Sequence, residues 1–201
     1  MRRSGFKRPT YAEALEKAHQ KANIARSKPK VKKPKKSPRA KKMELKKEII
    51  EQYGLPKIPC SRWGINKTFT RQDILKGMLW YVFSRWVRRR DNGMCIACGL
   101  PKTYEELQAG HFAPVGGNDL ELCFDELNVN GECETCNADF EGGGWHLVLM
   151  KPNLVKKWGQ VEVDRIEQLK SMKRATKWDE SVYVEKIKYY YQSLLEIENN
   201  L

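Results

Sequence analysis

Two Cys-x-x-C pairs, Cys95–Cys98 and Cys133–Cys136, stand 34 residues apart in a chain of 201. Each pair lets two thiolates converge on one ion, and two pairs complete a tetrahedral four-sulfur site that suits Zn²⁺. Such a site has no open position for a substrate. Its role is to pin a segment that cannot hold itself together, because the binding energy of the ion becomes folding energy. Gly99 follows the first pair, where the chain must turn with positive φ. Redox use of the thioredoxin kind is disfavoured, since no βαβ pattern surrounds either pair. Cys60 and Cys123 stand outside the hooks, and small apolar packing is the expectation for both.

The basic N-terminus is followed by no apolar stretch, so paired cysteines read as metal ligands rather than disulfides. No run approaches 18 apolar residues. The chain is therefore expected to be intracellular and soluble, with no membrane partner. Apolar residues make up 40% of it, enough for one modest core and not two. The formal net charge of +13 is concentrated at one end. Residues 1–48 hold 18 of the 38 Lys and Arg and 4 of the 25 Asp and Glu. A basic arm on a near-neutral body is the build of a polyanion binder, against the alternative of a solvated tail with no partner. Within the arm, residues 27–42 hold nine Lys or Arg and three Pro. Like-charge repulsion and missing amide donors predict a disordered linker there.

Residues 11–26 and 42–53 predict helices, the second ending at Gly54. Thr70 and Asp73 then resemble a capping box. Ile74, Met78, Leu79, Val82, Phe83 and Trp86 recur at three- and four-residue steps, one apolar face of a helix of about five turns. Arg85, Arg88, Arg89 and Arg90 close it, where they can complement the helix dipole or hold phosphates. Residues 91–144 are loop-rich, with many Gly and Asn. Helices are predicted again over 161–172 and 179–198. On the last, Val184, Ile187, Tyr191, Leu194 and Leu195 share a face that reads as core or interface. Stacking of Tyr189–Tyr191 on bases is the weaker alternative.

Two short segments accompany the hooks: Gly110-His111-Phe112-Ala113-Pro114, and the run from Asn128 through Cys133 and Cys136 to Asn137. Both hooks with His, Asn and Asn at these offsets resemble the HNH, or ββα-metal, nuclease motif in its H-N-N form. The stretches RDNGMCIACG, AGHF and ELCFDELNVNGECETCN, and the later WGQVEVDRIE, are similar to the NinG (Rap) recombination nucleases of lambdoid phages. The similarity covers roughly residues 70–170. Phage endonucleases of the endonuclease VII type share the layout more distantly.

The resemblance implies an α+β fold: a small zinc-stapled ββα-metal module flanked by helices, with a disordered basic N-terminal arm. The expected divisions are an arm at 1–48, a helical lead-in at 49–90, the HNH module at 91–150 and a helical region at 151–201. The implied activity is metal-dependent endonuclease cleavage of branched recombination intermediates, Holliday junctions and D-loops. His111 would be the general base, suited by a pKa of about 6.5. Asn137 would hold a catalytic Mg²⁺, and Asn128 would brace the loop that bears the histidine. Many HNH nucleases carry an Asp metal ligand just before the histidine; this chain has Gly110, as the NinG pattern does. Asp139, Glu141 and His146 are candidates for the missing ligand, although the two acids also read as simply exposed. The alternatives are a nicking HNH nuclease on ordinary duplex, or a zinc-containing DNA-binding module without catalysis. DNA bound through the basic arm is the expected partner, and a homodimer through residues 179–198 is plausible for symmetric cutting. The family resemblance places the protein in the cytoplasm of an infected bacterium.

Overall fold

The computed structural model describes residues 37–61, 69–115, 119–138, 145–172 and 176–200, with residues 10, 12–13, 16–17 and 19–21 of the N-terminal segment. The chain divides into two units, 1–37 and 38–201. In the first, the described residues 12–13, 16–17 and 19–21 are helical, inside the predicted 11–26. Most of the linker expected to be disordered lies outside the described residues.

The second unit begins with helix α1, Pro38–Tyr53. This corrects both the predicted start at residue 42 and the domain boundary at 48. Ser37 followed by Pro38 is a helix-start signal: the missing N–H of a first-turn proline would have had no helical partner. Gly54, at φ +59, ends the helix in the left-handed region that glycine tolerates.

Helix α2, Arg71–Arg90, starts at the expected capping box. The Thr70 hydroxyl accepts the Asp73 amide at 3.1 Å, and the Asp73 carboxylate accepts the Thr70 amide at 2.9 Å. All six residues of its predicted apolar face are buried. Strand β1, Leu107–His111, pairs antiparallel with β2, Val129–Cys133, in the register Gln108↔Glu132 and Gly110↔Asn130. The short helix α3, Leu120–Cys123, lies between the strands in sequence, and helix α4, Glu134–Ala138, follows β2 directly. Helices α5 (Trp145–Trp158), α6 (Gln160–Ser171) and α7 (Glu180–Asn199) complete the chain. The architecture is α+β, as expected.

Helix α5 was not among the expected helices; Pro152 lies inside it and removes one helical hydrogen bond. Packing overrides that cost: Met150 and Leu154, four residues apart, are both fully buried. The boundary placed at residue 150 therefore falls within a helix. On α7 the buried stripe is Tyr183, Val184, Ile187, Tyr190 and Leu194, so Tyr190 takes the place expected of Tyr191, and Leu195 is half-buried. This stripe packs inside the chain, with Phe83 and Tyr190 rings 4.9 Å apart. Of the two readings of this face, core or interface, the packing is that of core.

The expectation of a single core is also corrected. One apolar cluster joins α1, α2 and α7 with Leu120, Cys123 and Phe124. A second joins Cys95, Leu107, Leu122 and Cys133 to Met150, Leu154, Val163 and Ile166. Helices α5 and α6 share a core with the cysteine hooks. Among the described residues, no helix is long and apolar enough to cross a membrane.

Candidate functional site

The first hook is a tight turn closed by a bridge between Met94 and Pro101. Gly99 adopts φ +70, and its amide donates to the Cys95 carbonyl at 2.9 Å. The second hook spans the end of β2 and the start of α4. A backbone bond from Ile96 N to Gly131 O, 2.8 Å long, docks the first hook on the strand. The Cys133 amide donates to Cys95 Sγ at 3.3 Å. All four sulfurs lie within 4.8 Å of one another. This cluster can hold a zinc ion, and a soft, four-sulfur donor set fits that ion. Burial and the neighbouring thiols push the Cys136 thiol upward, so its thiolate is disfavoured unless a cation joins the cluster. Cys123 is buried in the helical core and Cys60 packs at its edge, as expected of small apolar groups.

His111 closes β1. Its ring stacks on Trp80 of α2, with centroids 5.4 Å apart and planes 8° from parallel. Its Nε2 lies 3.0 Å from the Cys123 carbonyl. A carbonyl only accepts, so in the neutral ring Nε2 carries the proton and Nδ1 the lone pair. Burial pushes the imidazole down to about 4, against an upward pull from the Cys123 carbonyl. The ring is therefore neutral at pH 7.

Asn128, wholly buried, sits one residue before β2. Its Oδ1 accepts the Ala113 amide at 2.7 Å, and its Nδ2 donates to the Ala113 and Leu122 carbonyls at 3.2 and 2.9 Å. One side chain thus clamps the turn that follows His111 to the helix α3 segment. Asn137 lies on α4 and donates to Gln108 Oε1 at 2.6 Å, which leaves its Oδ1 facing Gly110.

Trp80, Ser84, Arg88, Gly110, His111 and Asn137 line one open groove of about 820 Å³. His111 and Asn137 meet at this groove, whereas Asn128 stays behind its wall. A more apolar groove of about 690 Å³ between α5 and α6 holds none of the predicted site residues. Asp139 and Glu141 lie outside the described residues, as does the side chain of His146.

The arginines at the end of α2 differ in their surroundings. Arg90 is structural: it grips Asp91 through two hydrogen bonds and donates to the Glu126 and Val129 carbonyls. Arg88 reaches Tyr104 Oη at 3.0 Å and still faces the groove.

Two acids went unrecognised in the sequence. Asp91 caps α2, accepts the Gly131 amide at 2.6 Å, and pairs with Arg90 and Lys157. Burial works to raise its carboxyl, but those two cations outweigh it and the net shift is downward. Glu132 is buried at 1% exposure, and burial raises its carboxyl to about 7. Its carboxylate occupies the space that a Cβ on Gly110 would need. A glycine inside a strand, diagonal to an acid on the paired strand, was the available signal.

The fold and the cysteine cluster define a small α+β protein in which four cysteines able to hold a metal ion sit at the end of a two-stranded sheet. A family profile described as "Bacteriophage Lambda NinG protein" matches residues 67–200, so the chain belongs to the NinG family. Protein ninG of Escherichia phage 933W is 35% identical over 83 residues, which are 41% of this chain and 39% of that protein. Protein ninG of Salmonella phage P22 is 34% identical over 83 residues, 41% of this chain and 38% of its own length. The chain thus aligns with about two fifths of these relatives' length. No solved structure matches.

Proposed function

We propose that this protein is a divalent-metal-dependent endonuclease of the HNH type that cleaves branched DNA such as Holliday junctions and D-loops. The observation that carries the reading is the meeting of His111 and Asn137 at one groove, beside a buried carboxylate. Hydrolysis of a phosphodiester needs a base for the attacking water and a counter-charge for the phosphate. His111 supplies the base through Nδ1, held in its tautomer by the Cys123 carbonyl and in its plane by Trp80. Asn137 offers an amide oxygen to a hard cation such as Mg²⁺, and Gln108 fixes which way that oxygen points. When bound, that ion polarises the phosphate and stabilises the leaving oxygen. Arg88, in the groove wall, complements the DNA backbone. Asn128 acts through the His111 turn and is a positioning residue. The zinc site holds the two strands and α4 in place and takes no part in the reaction.

The basic arm supplies sequence-independent affinity through displaced counterions. Removal of residues 1–42 should weaken DNA binding and flatten its salt dependence.

The decisive experiment compares a labelled four-way junction with a linear duplex of the same sequence, in Mg²⁺ and in EDTA, with wild-type and His111→Ala protein. Junction-selective cutting that needs both the ion and His111 is expected. Equal cutting of both substrates would discard branch specificity, and no cutting by zinc-loaded protein would discard the enzyme.

A further inference from the structure

Glu132 is 1% exposed, and its Oε1 has no hydrogen-bond partner. Among the described residues, only one other buried side-chain N or O atom shares that state, and no Lys or Arg pairs with Glu132. An anion buried without a partner is unfavourable unless a cation comes to it. The carboxylate is also aimed. Its Oε2 fills the place of a Gly110 Cβ, and Asn137 Oδ1 lies 2.9 Å from that same point. His111 follows Gly110 directly in β1. Two oxygens of different elements thus converge at Gly110, the residue before His111.

We infer that Glu132 is a ligand of the divalent cation at this groove, supplying from β2 the carboxylate that Gly110 does not carry. The inference rests on the reading of the groove as a metal site. A carboxylate and an amide oxygen are hard donors and select Mg²⁺ or Mn²⁺ over zinc. The neighbouring four-sulfur cluster selects the opposite way, so two ions can be sorted within one small module. Gly110 is the enabling residue: a side chain there would displace the Glu132 carboxylate from its place beside Asn137. The two positions are alternative sources of one negative charge.

The test is Mn²⁺ binding by full-length, zinc-loaded protein without DNA, read from the loss of the free-ion paramagnetic resonance signal. Wild type should bind one Mn²⁺ per chain. Glu132→Gln should weaken that binding by about 10- to 100-fold with unchanged zinc content. Glu132→Ala should be equally weak, and Gly110→Asp added to it should restore binding by returning the carboxylate from the other strand. A merely structural role for Glu132 would not be rescued in this way. Wild-type affinity in Glu132→Gln, or no Mn²⁺ uptake by wild type, overturns the assignment. If Glu132→Gln loses zinc, the double variant decides, with restored binding for the assignment and none against it. Glu132-dependent Mn²⁺ binding without junction cleavage would keep the ligand and discard the nuclease. Cleavage with unaltered Mn²⁺ affinity in Glu132→Gln would do the reverse.

Discussion

Around Phe83, the rings of Trp80, Trp86, Phe124 and Tyr190 lie at centroid distances from 4.9 to 6.1 Å. In the cluster around Cys95, by contrast, Phe112 is the only buried aromatic among the described residues, and two short strands do much of the framing. The first region is held by area: large rings buried between two 20-residue helices. The second has too little apolar surface for its length of loop and relies on four thiols meeting at one point. Bulk burial tolerates substitution by degrees, whereas a clasp is either closed or open. The site residues come from both regions, since Trp80 belongs to the helical core and Cys133 to the clasp.

Metal removal should break the comparison most sharply. Chelation of zinc should cost the clasped region on the order of 10 kcal/mol. Amide exchange would show protection lost over Leu107–His111 and Val129–Cys133 and kept in α2 and α7. Simultaneous loss everywhere would mean that the two clusters form one cooperative unit. The converse lesion is Phe83→Ala, expected to cost about 3–5 kcal/mol in denaturant unfolding while zinc stoichiometry stays at one.

Asp91 ties the regions together, so Asp91→Asn should destabilise by about 3 kcal/mol, because Arg90 and Lys157 lose their shared anion. If the cost is near zero, the regions are joined by packing alone. Asn128→Ala leaves the Ala113 amide and the Leu122 carbonyl unpaired in the interior. It should cost about 2 kcal/mol and lower cleavage through a displaced His111 turn, visible in the His111 ring resonances.

The smallest effect is that of pH on His111. Between pH 6.5 and about 4 the unfolded chain takes up a proton at this ring and the folded chain does not. Stability linked to His111 is therefore complete above pH 6.5 and is lost as the pH falls toward 4. His111→Gln should show a shallower acid decline over that window. Cleavage should keep its base well below pH 6, and an acid limb at 6.5 would contradict the half-buried, neutral ring.

The two regions were not equally legible in the sequence. Helical periodicity is local, and the α2 face and its capping box followed directly from residue spacing. The cysteine hooks were legible because thiolate geometry restricts their spacing. What escaped depends on pairing across the chain. Glu132 reads as one more acid until β1 lies beside β2 and a glycine faces it. Asp91 reads as a charge after three arginines until Gly131 and Lys157 arrive from 40 and 66 residues away. Helix α5 was not anticipated: it carries Pro152, which disfavours a helix locally, and burial of Met150 and Leu154 outweighs that cost. Tyr190 and Tyr191 differ by a single 100° step on α7, a margin that a stripe of three tyrosines does not resolve.

The collision between a side chain at position 110 and the carboxylate at 132 also has an evolutionary consequence. The two positions are coupled: an acid gained at 110 displaces the Glu132 carboxylate from the place it occupies beside Asn137. Two stable solutions, glycine with glutamate and acid with a small residue, should therefore stand apart among relatives, with few chains between them.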